Sequence, residues 1–515
     1  FREKSLRFRR ARIADTVSFG SGENLAWLLV TELVFPDDRI ERYLVPIALA
    51  TGDDAISIRE EIPHALIADV TLSGTSGAVM YDGVFSDTVR TGLFHALIGK
   101  KRPKTVSGTV DTHKSRGLQR RVQEMPAQPA SRVLSAEQSN TSILYEDSLF
   151  LKLFRKLESG INPDVELTRY LTEQQNLSTV PAYRGSLTYA GSGDDRAAAG
   201  LLIDFVPNQG DAWEYTRDSI ERFFATILVE TDSPDSLGKI PQSLLEVDPQ
   251  KIPDRFLERV DGFFLEMIEL LGQRTGELHQ ALATQTTDPA FAPEPFSRLY
   301  QRSLYQSLRS LTRRVTATMK KARSQVPAEI AAAVETFLTR EPEILERFQQ
   351  ITARKIDAKK IRIHGDYHLG QVLFTGRDFV IIDLEGEPAR TLSERRLKFS
   401  AFRDVAGMLR SFHYAISSRY LETIAIRPED EERLAAWVRP WYTLVGGTFL
   451  HGYLETVAGA SFVPNDTEAI ATALEVFLLE KAVYEVGYEI DNRPDWLRIP
   501  LDGIEFVLDA GGVRG

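Results

Sequence analysis

The strongest constraint on the fold is a change of hydrophobic pattern near residue 206. Before this point, short apolar runs such as "TSILYED" and "LFLKLF" have the length and residue types of strands. After it, apolar residues recur at the three- and four-residue spacing of helices. The segments with helical periodicity are 216–230, 253–283, 291–321, 327–348, 394–422, 428–458 and 465–491. Strands first and helices later predict an α+β protein with a small sheet-rich part and a large helical part.

The sheet-rich part is itself divided. Residues 10–52 carry two apolar runs separated by the turn residues "PDDR", which predicts a strand meander. A helix is predicted over 85–99, capped by Ser86 or Asp87. Residues 100–131 are basic and broken by proline and glycine, so we expect a linker or an exposed hairpin there. The predicted domains are an N-terminal cap subdomain (1–99), an intermediate segment with the rest of the small lobe (100–206), and a helical lobe (207–515).

Composition excludes several classes of protein. The chain has 515 residues, more than one core usually holds, and no cysteine, which excludes disulfide frameworks and thiolate chemistry. Its net charge of −11 argues against nonspecific nucleic-acid binding, which needs a basic surface. No apolar run approaches the roughly 18 residues that cross a bilayer, and no signal pattern opens the sequence. We therefore expect a cytoplasmic protein without nucleic-acid or membrane partners.

The stretch "IRIHGDYHLGQVLF" carries the densest group of chemically active side chains. Asp366 precedes Gln371 by five positions, the spacing between the carboxylate and the amide of the kinase catalytic loop. A hairpin predicted from "QVLF" through "TGRD" to "FVIID" brings Gln371 next to Asp383. Carboxylate and amide oxygens suit Mg²⁺, so both are candidate metal ligands, and Glu385 on the same strand-like face is a third. In this hypothesis Asp366 orients the attacking hydroxyl in a phosphoryl transfer.

The same stretch permits a zinc site as an alternative. His364, Asp366 and His368 alternate, so in a continuous strand they would share one face. Hydrolytic zinc sites usually recruit further histidines, and the remaining six form no second cluster in the sequence. The zinc hypothesis also gives the hairpin no role. We therefore favour phosphoryl transfer, with His364 as a structural residue and Asp404, in "FRDVAG", as the hydrogen-bonded support of the loop.

The sheet-rich part offers the cation that a bound nucleotide needs. Lys152 is the lone charge in "LFLKLF", and a lysine on an inner sheet face needs an anionic partner. Glu166 on the next predicted helix is a suitable partner, as in the lysine–glutamate pair of kinases. Upstream, "EQSNTS" at 137–142 lies between two strands where kinases carry a glycine-rich loop, although it has no glycine. Its candidate phosphate contacts are Ser139, Asn140, Thr141 and Ser142.

Several stretches together resemble the bacterial maltokinases, a family of the aminoglycoside-phosphotransferase-like kinase superfamily. They are "LKLFRKLESGINPDVE", "FVPNQGDAW", "HGDYHLGQVL", "IIDLEGEP", "FRDVAGMLRSFHYA" and "KAVYEVGYEIDNRPDW". The resemblance implies a bilobal protein-kinase-like fold with an N-terminal β-rich cap subdomain, ATP as co-substrate and Mg²⁺ as cofactor. It also implies transfer of the γ-phosphate to the anomeric hydroxyl of maltose, giving maltose 1-phosphate for α-glucan (glycogen) synthesis.

The resemblance further implies roles for individual residues. Backbone groups around Phe205 and Val206 would bind adenine. Asp366 would accept the proton of the sugar hydroxyl, and His368 beside it is a candidate sugar contact. The other positions that resemble the maltose site are Tyr414, Lys481, Tyr484 and Tyr488. The last three recur at i, i+3 and i+7, on one helical face where aromatic rings can stack on a sugar.

Two other functions stay open on the sequence. One is an antibiotic-modifying phosphotransferase of the same superfamily, whose acceptor site is usually strongly acidic; Lys481 and the neighbouring tyrosines favour a neutral sugar instead. The other is a catalytically silent module that regulates a fused trehalose synthase. Fusion behind that enzyme would also account for a chain that begins at Phe1. The presence of every predicted catalytic side chain counts against a silent module.

Overall fold

The structure is a computed structural model that describes residues 7–20, 25–72, 75–99, 103–134, 140–191, 195–230, 233–323 and 326–509. The chain divides into two compact units. Unit 1 comprises Phe1–Val206 with Ala389–Glu394, and unit 2 comprises Pro207–Pro388 with Arg395–Gly515. Each unit is described by itself.

The first sheet of unit 1 contains the predicted strand meander. Its described strands are β1 (Arg10–Phe19), β2 (Ala26–Val34), β3 (Ile40–Ala50), β4 (Leu66–Leu72), β5 (Thr75–Asp82), β6 (Lys104–Thr105) and β11 (Lys156–Leu157). They are ordered β4-β5-β3-β2-β1-β6, with β11 beside β3. Neighbouring strands are antiparallel, so the meander expected over 10–52 is confirmed.

The second sheet of unit 1 includes one strand from the basic segment at 100–131. Its described strands are β7 (Thr109–Lys114), β8 (Ser131–Val133), β9 (Asn140–Tyr145), β10 (Leu149–Phe154), β12 (Tyr183–Ala190) and β13 (Arg196–Asp204), in the order β7-β12-β13-β10-β9-β8. Strand β7 pairs with β12 from Gly185↔Lys114 to Ala190↔Thr109. The expectation of a linker or exposed hairpin at 100–131 was therefore wrong. These polar residues form the edge strand of a sheet, where one side faces solvent.

Four helices accompany these sheets in the described part of unit 1. They are α1 (Gly52–Glu61), α2 (Asp87–Leu97), α3 (Leu118–Gln123) and α4 (Pro163–Glu173). Helix α2 confirms the helix predicted over 85–99, with Ser86 at its N-cap position. The side chain of Asn162 caps α4 by accepting hydrogen bonds from the N–H groups of Asp164 and Val165. One apolar core, which includes Val30, Leu93, Leu151 and Leu202, joins both sheets and α2.

The buried carboxylate of Asp15 ties the two sheets of unit 1 together. Asp15 shares the inward face of β1 with Val17 and follows a register shift in that strand. It accepts hydrogen bonds from the N–H groups of Thr16, Val106, Ser107 and Gly108 and from the hydroxyl of Tyr189, at 2.7–3.1 Å. Tyr189 belongs to β12, so this one side chain connects β1, the turn that leads into β7, and the second sheet.

Unit 2 is mainly helical. Its described helices are α5 (Ala212–Val229), α6 (Asp254–Val260), α7 (Gly262–Leu282), α8 (Arg298–Ala322), α9 (Ala331–Thr339), α10 (Glu341–Gln349), α12 (Phe402–Ile426), α13 (Glu431–Thr456), α14 (Thr467–Asn492) and α15 (Arg498–Leu508). Helix α11 (Leu392–Arg395) crosses the division between the units. Asp261, with φ 67°, separates α6 from α7, where one segment was predicted. The segment at 327–348 is likewise two helices.

Helices α7 and α13 meet at a backbone-to-backbone contact. A Cβ atom on Gly272 of α7 would overlap the carbonyl oxygen of Phe449 on α13. Glycine therefore allows a closer approach than any other residue does. The same two helices carry His279 and Tyr453, both fully buried, whose Nδ1 and hydroxyl oxygen lie 3.1 Å apart.

Two short two-stranded sheets complete the described part of unit 2. Strands β14 (Glu294–Pro295) and β15 (Lys359–Lys360), which are distant in the chain, form one antiparallel pair. Strands β16 (Val372–Phe374) and β17 (Phe379–Ile381) form the other, a hairpin. The second is the hairpin predicted from "QVLF" to "FVIID". Within the described ranges, every helix is too short or too polar to cross a bilayer.

Candidate active site

Asp366 lies on a loop of unit 2 that is held from below by Asp404. Asp404 is in the first turn of α12, and its two carboxylate oxygens accept the N–H groups of His364 (2.7 Å) and Gly365 (2.9 Å). His279 also donates to this carboxylate from Nε2, at 3.1 Å. Burial raises the pKa of Asp404, but these hydrogen bonds outweigh burial, so that the pKa lies below its ordinary value. The support predicted from "FRDVAG" is confirmed.

Both ring nitrogens of His364 are hydrogen-bonded within the loop. Its Nε2 donates to the carbonyl oxygen of Ile382 at 2.9 Å, and its Nδ1 faces the N–H of Asp366 at 3.4 Å. The Nδ1 of His368 likewise accepts the N–H of Gly370 at 3.1 Å. A zinc ligand needs a free nitrogen lone pair, and the described residues contain no group of three His, Cys, Asp or Glu side chains arranged for a metal. The structure therefore favours a structural His364.

The β16–β17 hairpin brings Gln371 and Asp383 into contact. Gln371 Nε2 donates to Asp383 Oδ2 at 3.0 Å, and the N–H of Ile382 donates to the Gln371 carbonyl oxygen at 2.9 Å. Asp383 has φ 61°, in the left-handed region that aspartate and asparagine tolerate better than most residues. The Gln371 amide donates one N–H to Asp383. The amide oxygen Oε1 and the Asp383 carboxylate are hard oxygen groups of the kind that Mg²⁺ prefers.

The argument that placed Glu385 beside Asp383 was wrong in its geometry. Strand β17 ends at Ile381, and residues 384–385 form a turn. The left-handed backbone at Asp383 interrupts the strand alternation on which the shared face depended. Glu385 is half-buried and engaged in other interactions, and its role as a metal ligand stays a prediction.

One face of α14 lies beside Asp366. The ammonium of Lys481 is 5.4 Å from the centre of the Tyr484 ring. Burial, a hydrogen bond with Glu387 and the charge of Asp366 all raise the pKa of Tyr484, which places these three residues together. Tyr488 follows one turn later and is 46% exposed. Sequence reasoning missed Glu387, which lies four residues after Asp383 in the same "DLEGEP" segment.

His368 joins the same group of residues. Burial lowers the pKa of its imidazole, and the charge of Lys481 acts in the same direction, whereas the charges of Asp366 and Asp383 oppose them. The net pKa lies below the ordinary value, so His368 is neutral at pH 7. A neutral imidazole beside Asp366 offers a hydrogen bond to a sugar without adding charge.

Tyr414 lies deeper than the other predicted sugar contacts. Its ring is buried, and its hydroxyl donates to Glu489 Oε1 at 3.1 Å. Arg493 holds the same carboxylate with two hydrogen bonds, at 2.8 and 2.9 Å, and places its guanidinium 5.5 Å from the Tyr488 ring centre. Tyr414 thus has a hydrogen-bond partner, Glu489, on α14. Its contact with a sugar stays a prediction.

In unit 1, Lys152 has a partner that the sequence reasoning did not name. Its Nζ lies 3.0 Å from Asp164 Oδ2, and both side chains are buried. Asp164 stands two residues before Glu166 on α4, next to the capping Asn162. The predicted pairing of Lys152 with Glu166 stays a prediction, since both residues make further interactions.

The predicted phosphate contacts before Lys152 are in a strand. Asn140, Thr141 and Ser142 belong to β9 and are buried, with Thr141 Oγ1 accepting from Arg155 Nε at 2.7 Å. Their placement in a loop between strands was wrong, and Ser139 lies outside the described residues. In the segment proposed to bind adenine, the N–H of Phe205 donates to the Ser148 carbonyl oxygen at 2.9 Å. The contribution of Val206 stays a prediction.

Comparison with known proteins places this geometry in a family context. Residues 227–437 match the APH profile, described as the phosphotransferase enzyme family. The matched range contains the Asp366 loop, its hairpin and Asp404. The glucosamine kinase of Mycolicibacterium smegmatis is 22% identical over 388 residues, 74% of this chain and 80% of that protein. The glucosamine kinase of Streptacidiphilus jiangxiensis is 20% identical over 371 residues, 72% of this chain and 71% of that protein.

Solved structures decide the fold. A glucosamine kinase crystal structure superposes with a TM-score of 0.61 at 18% identity, covering 97% of this chain and 92% of that chain. A second, in complex with glucosamine, ADP and inorganic phosphate, gives a TM-score of 0.60 at 17% identity, covering 98% and 96%. This chain has an aminoglycoside-phosphotransferase-like kinase fold.

The observed side chains can be compared with the groups that a kinase reaction needs. A kinase-type phosphotransferase needs a carboxylate at the acceptor hydroxyl and oxygen ligands for a metal, rather than a covalent nucleophile. Asp366, Gln371 and Asp383 carry side chains of these types within one unit, and their roles stay predictions. The comparisons support a kinase-type phosphotransferase at this level, and the sugar that accepts the phosphate is a separate question.

Proposed function

We propose that this protein is an ATP-dependent sugar kinase that phosphorylates maltose at its anomeric hydroxyl. The observation that carries the proposal is the Asp366 loop: Asp404 fixes its backbone, and the Gln371–Asp383 contact lies on the adjoining hairpin. A fixed carboxylate beside two oxygen donors is the arrangement that phosphoryl transfer to a hydroxyl requires.

In the proposed mechanism, Asp366 orients the acceptor hydroxyl and accepts its proton as the oxygen bonds to the γ-phosphorus. The bond from the γ-phosphorus to the β–γ bridging oxygen breaks, and ADP is the leaving group. Gln371 and Asp383 would hold Mg²⁺, whose positive charge offsets the charge on the phosphate oxygens. Lys152 is proposed to contribute a second positive charge to the nucleotide. His364 and Asp404 keep the loop in place without touching the substrate.

The α14 face supports a neutral sugar as acceptor. Tyr484 and Tyr488 present two rings one helical turn apart, and Lys481 adds a positive charge beside Tyr484. Rings stack on the C–H faces of sugars, while Lys481 and His368 donate to hydroxyls. A product of maltose 1-phosphate would serve α-glucan (glycogen) synthesis, with a trehalose synthase as a proposed fused or associated partner.

Glucosamine is a second candidate acceptor. The relatives that match over most of this chain are named glucosamine kinases. In addition, Glu387 hydrogen-bonds with Tyr484 close to Asp366, so that two carboxylates lie where an ammonium group would bind. Lys481 opposes that reading, because it repels an ammonium group in the same place.

ADP release measured with separate acceptors tests the proposal. Maltose, glucosamine, glucose, trehalose and an aminoglycoside are each supplied with ATP and Mg²⁺, and kcat/KM is compared. We expect maltose to give the highest value and NMR to identify maltose 1-phosphate. The highest value with glucosamine selects the second candidate, and the highest value with the antibiotic selects a resistance enzyme. Absence of ADP release with all five means that the proposal fails and a silent module is preferred.

A matched pair of variants tests the role of Asp366. Asp366→Asn removes the proton acceptor, and we expect kcat to fall by about 10³-fold while ATP binding, followed by calorimetry, persists. Asp357→Asn makes the same chemical change at an exposed position of unit 2 and is expected to leave kcat unchanged. Full turnover in Asp366→Asn would remove the basis of the assignment.

A further inference from the structure

Helix α8 is the most strongly basic element of the described chain. Its 25 residues include Arg298, Arg302, Arg309, Arg313, Arg314, Lys320 and Lys321 and no acidic residue. The whole protein, in contrast, has a net charge of −11. Helix α8 therefore carries a charge of +7, and the rest of the chain carries −11 − 7 = −18. The proposed catalytic mechanism gives α8 no role.

Five of these basic residues form a straight row along the helix, which we call the α8 stripe. The α8 stripe consists of Arg298, Arg302, Arg309, Arg313 and Lys320. Successive members are alternately four and seven residues apart, so the pattern repeats every eleven residues. Eleven residues make about three turns, so all five lie within about 60° around the axis. From first to last the row spans about 33 Å. All but the half-buried Arg309 are exposed.

The stripe makes few ion pairs with the described residues. Lys320 lies 3.9 Å from Glu341, and the described residues provide no ion pair for the four arginines. Some other arginines of unit 2 do have such partners: Arg354, for example, pairs with Asp466 at 2.7 Å. A row of positive charges repels itself, so an anionic partner stabilises it.

We propose that the α8 stripe is a docking surface for an acidic helix of a partner protein. A straight row with pairs four residues apart matches carboxylates repeated at the same spacing on a second helix lying alongside. Side chains of Arg at such positions form bidentate contacts with carboxylates, and their complementarity sets orientation and encounter rate.

Two other polyanionic partners fit the stripe less well. An anionic membrane would need apolar residues to insert, but the apolar side of α8 (Leu304, Leu308, Val315 and Met319) is buried, and Leu299 is its one large apolar side chain exposed in the described chain. A nucleic acid would meet the field of a protein with a net charge of −11.

The test measures binding of a defined acidic helix. The probe is a fluorescein-labelled, alanine-based peptide with glutamates at the alternating four- and seven-residue spacings of the stripe. The control is the same peptide with glutamine in place of each glutamate. The full-length protein is titrated at about 50 mM and about 300 mM salt, and fluorescence anisotropy is recorded. We expect binding of the glutamate peptide alone, weakening as salt rises.

Two triple variants with equal charge change locate the binding surface. Arg302→Glu/Arg309→Glu/Arg313→Glu reverses the stripe, and we expect the peptide affinity to fall by about tenfold or more. Arg222→Glu/Lys239→Glu/Lys251→Glu changes exposed residues elsewhere in unit 2 and is expected to keep the affinity within about threefold. Thermal unfolding and ADP release show whether each variant is folded.

Three results would overturn the proposal. They are no binding of the glutamate peptide at low salt, equal loss in both triple variants, and tighter stripe-dependent binding of duplex DNA or of phosphatidylserine vesicles than of the peptide. The last result would assign the surface to a nucleic acid or a membrane. If the protein releases no ADP with any of the sugars, only the proposed catalytic function is contradicted, because the docking test contains no substrate.

Discussion

The backbone N–H of His364 donates to the Asp404 carboxylate at 2.7 Å, so the first turn of α12 fixes the loop that carries Asp366. The carboxylate is in turn held by His279 on α7, which contacts Tyr453 on α13. A chain of buried polar groups thus leads from two long helices to the loop. Its members are each hydrogen-bonded, which makes such a network rigid.

Asp404→Asn should impair turnover more than binding. Asparagine keeps one acceptor but turns an N–H group toward the N–H of His364 or Gly365, which displaces the loop. Small displacements of a catalytic group cost about 10²-fold in rate, so we expect kcat to fall by about that factor with little change in the KM for ATP. Tyr453→Phe, further along the network, is the control and should leave kcat nearly unchanged. Equal changes in kcat and KM would contradict a positioning role.

Lys152 offers a test that separates the observed partner Asp164 from the predicted partner Glu166. Asp164→Asn removes a buried carboxylate at 3.0 Å from Lys152 Nζ and should destabilise the protein by about 3 kcal/mol, because a buried lysine loses a directly contacting counter-charge. If Glu166 serves the nucleotide clamp, Glu166→Gln should raise the KM for ATP at smaller cost in stability. Urea unfolding and ATP-dependent kinetics of both variants give the answer. A larger stability loss in Glu166→Gln than in Asp164→Asn would reverse this assignment.

Asp15 should make unit 1 sensitive to acid. Burial raises the pKa of Asp15, but its hydrogen bonds from Ser107, Thr16, Gly108 and Tyr189 outweigh burial, so the folded pKa is depressed. Its stabilising contribution is therefore complete above the unfolded pKa of about 4 and is lost as pH falls through the folded value.

Asp15→Asn should accordingly cost about 2 kcal/mol at pH 7, and the difference from the native protein should shrink below about pH 4. Urea unfolding at several pH values measures both effects. Asp53→Asn, at an exposed position of α1, is the control and should follow the native pH profile. A difference that stays constant down to pH 3 would disprove the linkage.

Two glycines of α7 form a matched pair for the α7–α13 contact. Alanine is favoured over glycine in helices by up to about 1 kcal/mol, but a Cβ on Gly272 would overlap the Phe449 carbonyl oxygen. We expect Gly272→Ala to destabilise the protein by about 2 kcal/mol or more in thermal unfolding. Gly262→Ala, where a Cβ meets no atom within 4 Å, should be neutral or stabilising. Equal melting temperatures would show that the helices can separate at no cost.

Local sequence signals predicted the strand meander, α2, the β16–β17 hairpin and the role of Asp404. Each depends on contacts over a short stretch or on a strong pattern, such as the turn "TGRD" between two apolar runs. The proximity of Gln371 and Asp383 followed directly from the hairpin. The order of strands and helices also predicted the fold class.

The misses involve long-range partners or single backbone angles. The contact of Asp164 with Lys152, which the sequence reasoning did not name, depends on how α4 packs. Strand β7 pairs with β12, some 70 residues later in the chain. A polar edge strand has no apolar pattern from which its pairing partner could be predicted. The left-handed backbone at Asp261 and Asp383 gives no hydrophobic signal, yet it splits one predicted helix and removes Glu385 from a shared face.

The φ of 61° at Asp383 limits which replacements could remove the carboxylate without straining the backbone. Most replacements would strain the backbone and damage the hairpin together with the carboxylate. Asparagine keeps the left-handed conformation and removes only the negative charge. A natural pseudoenzyme descended from this chain would therefore be expected to carry asparagine at position 383, and that single codon change is the one to look for.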